Sequence, residues 1–155
     1  MSRRDGEHLP DAVLFACNLN QVRSPMAAGL MNYLFGNRVF VESVGVCKGV
    51  IDPLAVEVMN EIGIDISHHA GKSFDDLEDT NFALVISLTA EAHAKALELA
   101  RTMAVEADFW PTTDPTLVEG NREQRLSAYR ALRDELLKRL ARRFSPEPGG
   151  SSEGP

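Results

Sequence analysis

Cysteine is scarce in this chain, with two among 155 residues. Two thiols do not make a disulfide framework, and their scarcity fits a reducing compartment, where a retained cysteine more often matters as a thiol. Positive charge is also in deficit. Sixteen Lys and Arg stand against twenty-three Asp and Glu, a formal net charge of −7. General affinity for nucleic acid or an anionic membrane needs the opposite balance, so neither is an expected partner. Long apolar runs are missing too: nothing approaches the roughly 18–20 consecutive apolar residues that cross a bilayer. The apolar stretch 12–16 is too short for the core of a signal peptide, and no small-residue cleavage site follows it. A cytoplasmic location is the expectation. No Walker-type GxxxxGK, paired-cysteine zinc pattern or dinucleotide fingerprint occurs, so no metal and no cofactor is implied.

What is present is an ordinary globular composition, 44% hydrophobic and 25% charged, at a length that favours one domain. Residues 1–10 are polar and read as a flexible segment. Residues 145–155, SPEPGGSSEGP, have nothing to bury and read as a disordered tail. Between them, 11–144 forms the expected domain. Strand-like runs fall at 12–17, 38–44, 82–88 and 104–109. Helical patterns alternate with them. One opens at Ser24-Pro25, with Ser as cap and Pro as first helical residue, and stops at Gly36-Asn37. Others run from Asp52-Pro53 to Gly63, from Thr89 to Met103, and over 122–144, where Tyr129, Leu132, Leu136 and Leu140 share a stripe. That last segment holds eight of the sixteen basic residues, which fits a solvated outer face better than a docking surface. The alternation predicts an α/β three-layer sandwich: a four-stranded parallel sheet with helices on both faces. Ligands in such sheets sit beyond the carboxyl ends of the strands, so the loop at 17–24 is the first place to look for a site.

That loop reads Cys17-Asn18-Leu19-Asn20-Gln21-Val22-Arg23-Ser24. A cysteine closes a strand, five residues intervene, and an arginine stands at the start of a helix. A loop wrapped between strand and helix aims backbone N–H groups inward, and the helix N-terminus adds partial positive charge, which together suit a phosphate-like dianion. Arg23 can grip two oxygens bidentately, as a lysine could not. The same field favours the thiolate of Cys17, the form that attacks phosphorus. Ser24 can hydrogen-bond that sulfur and help it leave. A phosphomonoester also needs a proton for its leaving oxygen and a base for water. Asp114 is the best candidate for both tasks when combined with Cys17, although Asp-Pro in WPTTDPT by itself reads as an ordinary turn.

These residues resemble the low-molecular-weight protein tyrosine phosphatase family, which shares its fold with thioredoxin-type arsenate reductases. The match runs through VLFACNLNQVRSPMA, VESVG around Ser43, DPLAVEVMNEIGIDISHH from Asp52 to His69, and Asp114-Pro115, covering most of 12–143. The resemblance implies Cys17 as nucleophile, Arg23 as phosphate clamp and Asp114 as general acid. Asn18, Leu19, Asn20, Gln21, Val22, Arg23 and Ser24 would form the phosphate loop, and Asn20, Ser24, Ser43 and His69 the network that supports it. The implied activity is metal-independent hydrolysis of a phosphorylated protein or small aryl phosphate through a phosphocysteine, with inorganic phosphate as an oxyanion ligand.

The chain departs from the family at several positions. Leu19 stands where glycine is common, and Val22 replaces the second loop cysteine of many members. Thr116 and Leu117 occupy the place of aromatic residues that flank a phosphotyrosine ring in eukaryotic members. Trp110, Phe109 and Leu19 are candidates for a replacement wall, with core packing open for the two aromatics. The reductase alternative draws support from FWPTTDPT and the Arg-Asp-Glu-Leu helix. Reduction within one chain needs further cysteines, however, and only Cys47 remains. It reads as a buried thiol, so a reductase would need an external one. A non-catalytic phosphate-binding module is a third reading, and it would need neither thiol nor acid.

Overall fold

A computed structural model describes residues 9–78 and 81–144. The expectations for residues 1–8 and 145–155 lie outside them, and within the described part Leu9 packs against the core. Four strands form one parallel sheet: β1 (Ala12–Cys17), β2 (Phe40–Gly45), β3 (Leu84–Ser87) and β4 (Glu106–Phe109), in the order β2-β1-β3-β4. Every residue of β1 is buried, as an inner strand covered on both faces must be. Its alternate side chains feed two cores. Val13, Phe15 and Cys17 face a cluster with α1 (Arg23–Phe35), α2 (Pro53–Asn60) and α4 (Arg122–Phe144). Leu14 and Ala16 face a smaller one, with Ala92 and Ala96 of α3 (Ala90–Thr102). Helices therefore cover both faces of the four-stranded sheet.

The strand order places a reversal between β1 and β3, because the chain leaves β1 towards β2 and returns on the other side. Crevices at such reversals are where open α/β sheets bind ligands, and the loop leaving Cys17 opens at this one.

Strand β3 begins at Leu84 rather than residue 82 and β4 at Glu106 rather than 104, and two further starts that differ from the sequence pattern bear on the site. Strand β2 begins at Phe40 rather than residue 38 and reaches Gly45, which pairs in register with Cys17. Helix α1 begins at Arg23, with Val22 as its cap residue and no side-chain cap. Ser24 therefore lies inside the first turn. Its hydroxyl is taken by the loop instead of by the helix end, approaching Cys17 Sγ and donating to the Val44 carbonyl. At α2 the expected cap is present, with Asp52 Oδ1 accepting from Leu54 N at 2.8 Å and Pro53 following it.

Among the described residues, no helix is long and apolar enough to cross a membrane.

Candidate active site

The loop between β1 and α1 is shaped from outside by a backbone strap. Four of its carbonyl oxygens, those of Cys17, Asn18, Leu19 and Gln21, accept from the N–H groups of Val46, Cys47, Gly49 and Asp52 at 2.8–3.1 Å. All described peptides are trans. In a trans peptide the next N–H points opposite to the carbonyl. Fixing these four carbonyls on the strap side thus aims the N–H groups of Asn18, Leu19, Asn20 and Val22 to the other side. The arrangement is a nest for an anion, completed by the N-terminus of α1.

The strap must approach closely. A Cβ on Gly45 would lie 2.3 Å from the Cys47 carbonyl oxygen and 2.7 Å from Asn20 N, both backbone atoms that cannot step aside.

Asn20 is the internal brace. It is fully buried, and at φ 57° it is the one described non-glycine residue with positive φ. Asparagine tolerates that conformation better than most residues. Its amide nitrogen donates to Ser24 Oγ at 2.8 Å and Ser43 Oγ at 3.0 Å. Its amide oxygen accepts from His69 Nε2 at 2.8 Å and from the Lys72 backbone N–H at 3.0 Å. All four hydrogen-bonding positions of the amide are used. Because Asn20 Oδ1 is the acceptor, His69 carries its proton on Nε2. Burial holds the His69 pKa below the usual histidine value, and nearby Lys72 acts in the same direction.

Cys17 Sγ lies 3.0 Å from Ser24 Oγ, and the cysteine is 3% exposed at the floor of a cavity of about 280 Å³. Asn18, Leu19, Gln21, Val22, Arg23, Asp114 and Thr116 line the rest. The guanidinium of Arg23 donates from Nη1 to the Thr112 carbonyl at 3.2 Å, and its Nη2 lies 3.9 Å from Asp114 Oδ2. Asp114 caps a single 3₁₀ turn, Pro115–Leu117, through its other oxygen, which accepts from Thr116 N at 3.0 Å and Thr116 Oγ1 at 2.6 Å. One carboxylate oxygen is thus held by the turn while the second faces the cavity. Thiol, guanidinium and carboxyl line one small space, which suits an in-line displacement at a tetrahedral centre.

The residues expected to support the loop (Asn20, Ser24, Ser43 and His69) lie together behind it. Of the two readings open for the aromatics, the wall is not the one seen. Trp110 is buried under Arg139, and Phe109 stacks on His93, so neither lines the cavity; Leu19, 47% exposed, does. Cys47 is a correction, because it is exposed rather than buried. It follows Val46 on the strap, and the Val46 side chain packs against the smaller core while that of Cys47 is exposed.

Two contributors, Thr89 and Thr112, have ties to the site that the sequence pattern does not show. Thr89 caps α3 by accepting from Ala92 N, and its hydroxyl also donates to Asn18 Oδ1 at 2.7 Å. Thr112 fastens the Asp114 segment, since both its N–H and its hydroxyl donate to the Leu88 carbonyl. A larger cavity of about 590 Å³ lies behind the loop. It touches Ser43 and His69 but not Cys17, and is no part of the reacting space. Among the described residues no group of three or more His, Cys, Asp or Glu could hold a metal ion.

A model of the low molecular weight phosphotyrosine protein phosphatase family matches residues 12–143. An arsenate reductase of Halalkalibacterium halodurans is 34% identical over 128 residues, spanning 83% of this chain and 91% of that protein. Among solved structures, a low molecular weight protein tyrosine phosphatase from T. tengcongensis superposes with a TM-score of 0.69 at 27% identity, covering 86% of this chain and 96% of its own. An arsenate reductase in the phosphate binding state gives 0.70 at 25% identity, covering 87% and 97%.

Proposed function

This chain belongs to the low molecular weight phosphotyrosine protein phosphatase family, and from that premise we propose that it hydrolyses phosphomonoesters, phosphotyrosine among them, through a phosphocysteine. The observation that carries the reading is the convergence of Cys17, Arg23 and Asp114 on one cavity of about 280 Å³. A site that only held phosphate would need neither the thiol nor the acid.

In this mechanism the phosphoryl group rests against the inward N–H groups of the loop, with Arg23 across two of its oxygens. The Cys17 thiolate attacks phosphorus in line, forming the S–P bond as the ester P–O bond breaks. Asp114 gives its proton to the departing oxygen. The resulting Asp114 carboxylate takes a proton from water as the water oxygen attacks phosphorus, and the S–P bond breaks to return the thiolate. Ser24, 3.0 Å from the sulfur, turns its one hydroxyl proton from the Val44 carbonyl to the sulfur as negative charge reappears there.

The relatives named arsenate reductases favour a second reading, in which the same nest takes arsenate and Cys17 begins its two-electron reduction to arsenite. Those two electrons must come from two thiols joining as a disulfide. The only other cysteine, Cys47, is exposed on the strap and does not line the cavity that holds Cys17, so in this reading the second thiol is an external one.

The deciding experiment runs aryl phosphate hydrolysis and thiol-dependent arsenite production side by side, on the wild type and Cys17→Ser. Hydrolysis without arsenite production, lost in Cys17→Ser while inorganic phosphate still binds, is the expected result. Substantial hydrolysis by Cys17→Ser would overturn the nucleophile assignment. Arsenite production with several thiol donors and no hydrolysis would replace the phosphatase reading.

A further inference from the structure

In the sequence Asp52 reads as a helix cap and Tyr129 as one member of an apolar stripe. In the fold the two meet. Tyr129, 2% exposed on α4, donates its hydroxyl to Asp52 Oδ2 at 2.8 Å. The other carboxylate oxygen of Asp52 accepts from Leu54 N, so each oxygen has a fixed donor. The backbone N–H of the same residue donates to the Gln21 carbonyl at 3.1 Å. This is the last rung of the strap, and it is the one that turns the Val22 N–H towards the nest. Burial, then the Asp52 hydrogen bond, holds the Tyr129 hydroxyl far above the ordinary tyrosine pKa, so it stays a donor at any working pH.

We propose that Tyr129 and Asp52 are positioning residues for the phosphate loop, acting through the Gln21 carbonyl on the orientation of the Val22 amide. A tyrosine needs a polar partner when its hydroxyl is buried. An arbitrary cap would satisfy that need without reaching the loop. Here the residue that accepts the hydroxyl is also the residue whose N–H holds the loop, so a movement of α4 against α2 is delivered to one peptide of the nest. The inference rests on the loop holding a tetrahedral oxyanion, as the proposed function requires.

The test measures inorganic phosphate binding by calorimetry, and kcat and KM for an aryl phosphate with a good leaving group. The proteins are wild type, Tyr129→Phe, Asp52→Ala and Asp52→Asn. Tyr129→Phe keeps the ring and removes one hydrogen bond. It should weaken phosphate binding about 3- to 10-fold and raise KM in step, with a much smaller change in kcat. Asp52→Asn, whose amide oxygen can still accept, should recover most of the affinity that Asp52→Ala loses. Wild-type phosphate affinity in Tyr129→Phe, with only a lower Tm, would overturn the positioning role and leave the proposed function standing. Asparagine performing as badly as alanine would overturn it too, since geometry would then not be what Asp52 supplies. A wild type that binds no phosphate would remove the proposed function, and this inference with it.

Discussion

Arg23 Nη2 stands 3.9 Å from Asp114 Oδ2, although the two residues belong to segments at opposite ends of the domain. The separation is long for a strong charge-assisted hydrogen bond, and the firmer tie is Arg23 Nη1 to the Thr112 carbonyl at 3.2 Å. The guanidinium therefore rests on the segment that carries Asp114, holding the proposed clamp and the proposed acid in a common frame. Arg23→Lys keeps the charge but cannot span both contacts or grip two oxygens. It should lower kcat for an aryl phosphate by about 100-fold or more, with little change in Tm. Near-normal kcat would show that charge alone is enough.

Asp114→Asn tests the acid. Removing the proton donor should cost little for a leaving group that departs readily as an anion. For an alkyl or unsubstituted phenyl ester it should cost about 100-fold or more. Rates measured across a leaving-group series should steepen in the variant. Equal losses along the series would assign Asp114 a different task.

Asn20→Ala removes all four hydrogen bonds of the buried brace and places alanine at φ 57°. Leaving buried partners unsatisfied costs about 1–3 kcal/mol before any backbone strain. The expected outcome in calorimetry is a Tm lower by several degrees, together with weaker phosphate binding. A stable variant with unchanged affinity would mean that the strap alone shapes the loop.

His69 gives a pH signature. Burial holds its folded-state pKa below the ordinary value of 6.5. Below about pH 6.5 the unfolded chain therefore binds a proton that the folded one resists. Stability should fall on acidification from that point until the folded His69 itself becomes protonated. The Tm of wild type should drop more steeply than that of His69→Gln between neutral pH and about pH 5.5, and parallel curves would exclude His69 as a source. The Glu61 carboxyl, held at about 2 chiefly by its hydrogen bond to Arg130, loses its contribution only in stronger acid, so the two effects separate.

The parts of the site that were legible in the sequence are those that the chain brings together locally. Cys17 and Arg23 share one strand–loop–helix turn, whose geometry follows from its neighbours. Ser43 and His69 were reached through the family resemblance, and Asp114 through the need for an acid together with that resemblance, because no short-range rule says that three distant segments will meet. The strap was not legible at all. Its contacts to the loop run from backbone to backbone, and their mark on residue identity is the glycine of the close approach, Gly45, which alone does not announce a strap. The same reasoning explains why the wall stayed open: Trp110 and Phe109 are aromatic near the right turn, but whether they face the cavity or the helices depends on the sheet's twist and the seating of α3 and α4. Cap grammar placed the start of α2 at Asp52-Pro53. It failed at Ser24, where the hydroxyl had a better use.

A cradle framed by main-chain donors leaves evolution unusual latitude in one stretch and almost none beside it. A combinatorial library over residues 45–50 should recover many different side chains at Cys47, Lys48 and Val50, which face solvent, while Val46, packed against the smaller core, should stay apolar. At Gly45 it should recover glycine, because any larger residue meets fixed main chain. At Gly49 the obstruction is the movable end of Gln21, so that position should drift only alongside its neighbour across the gap.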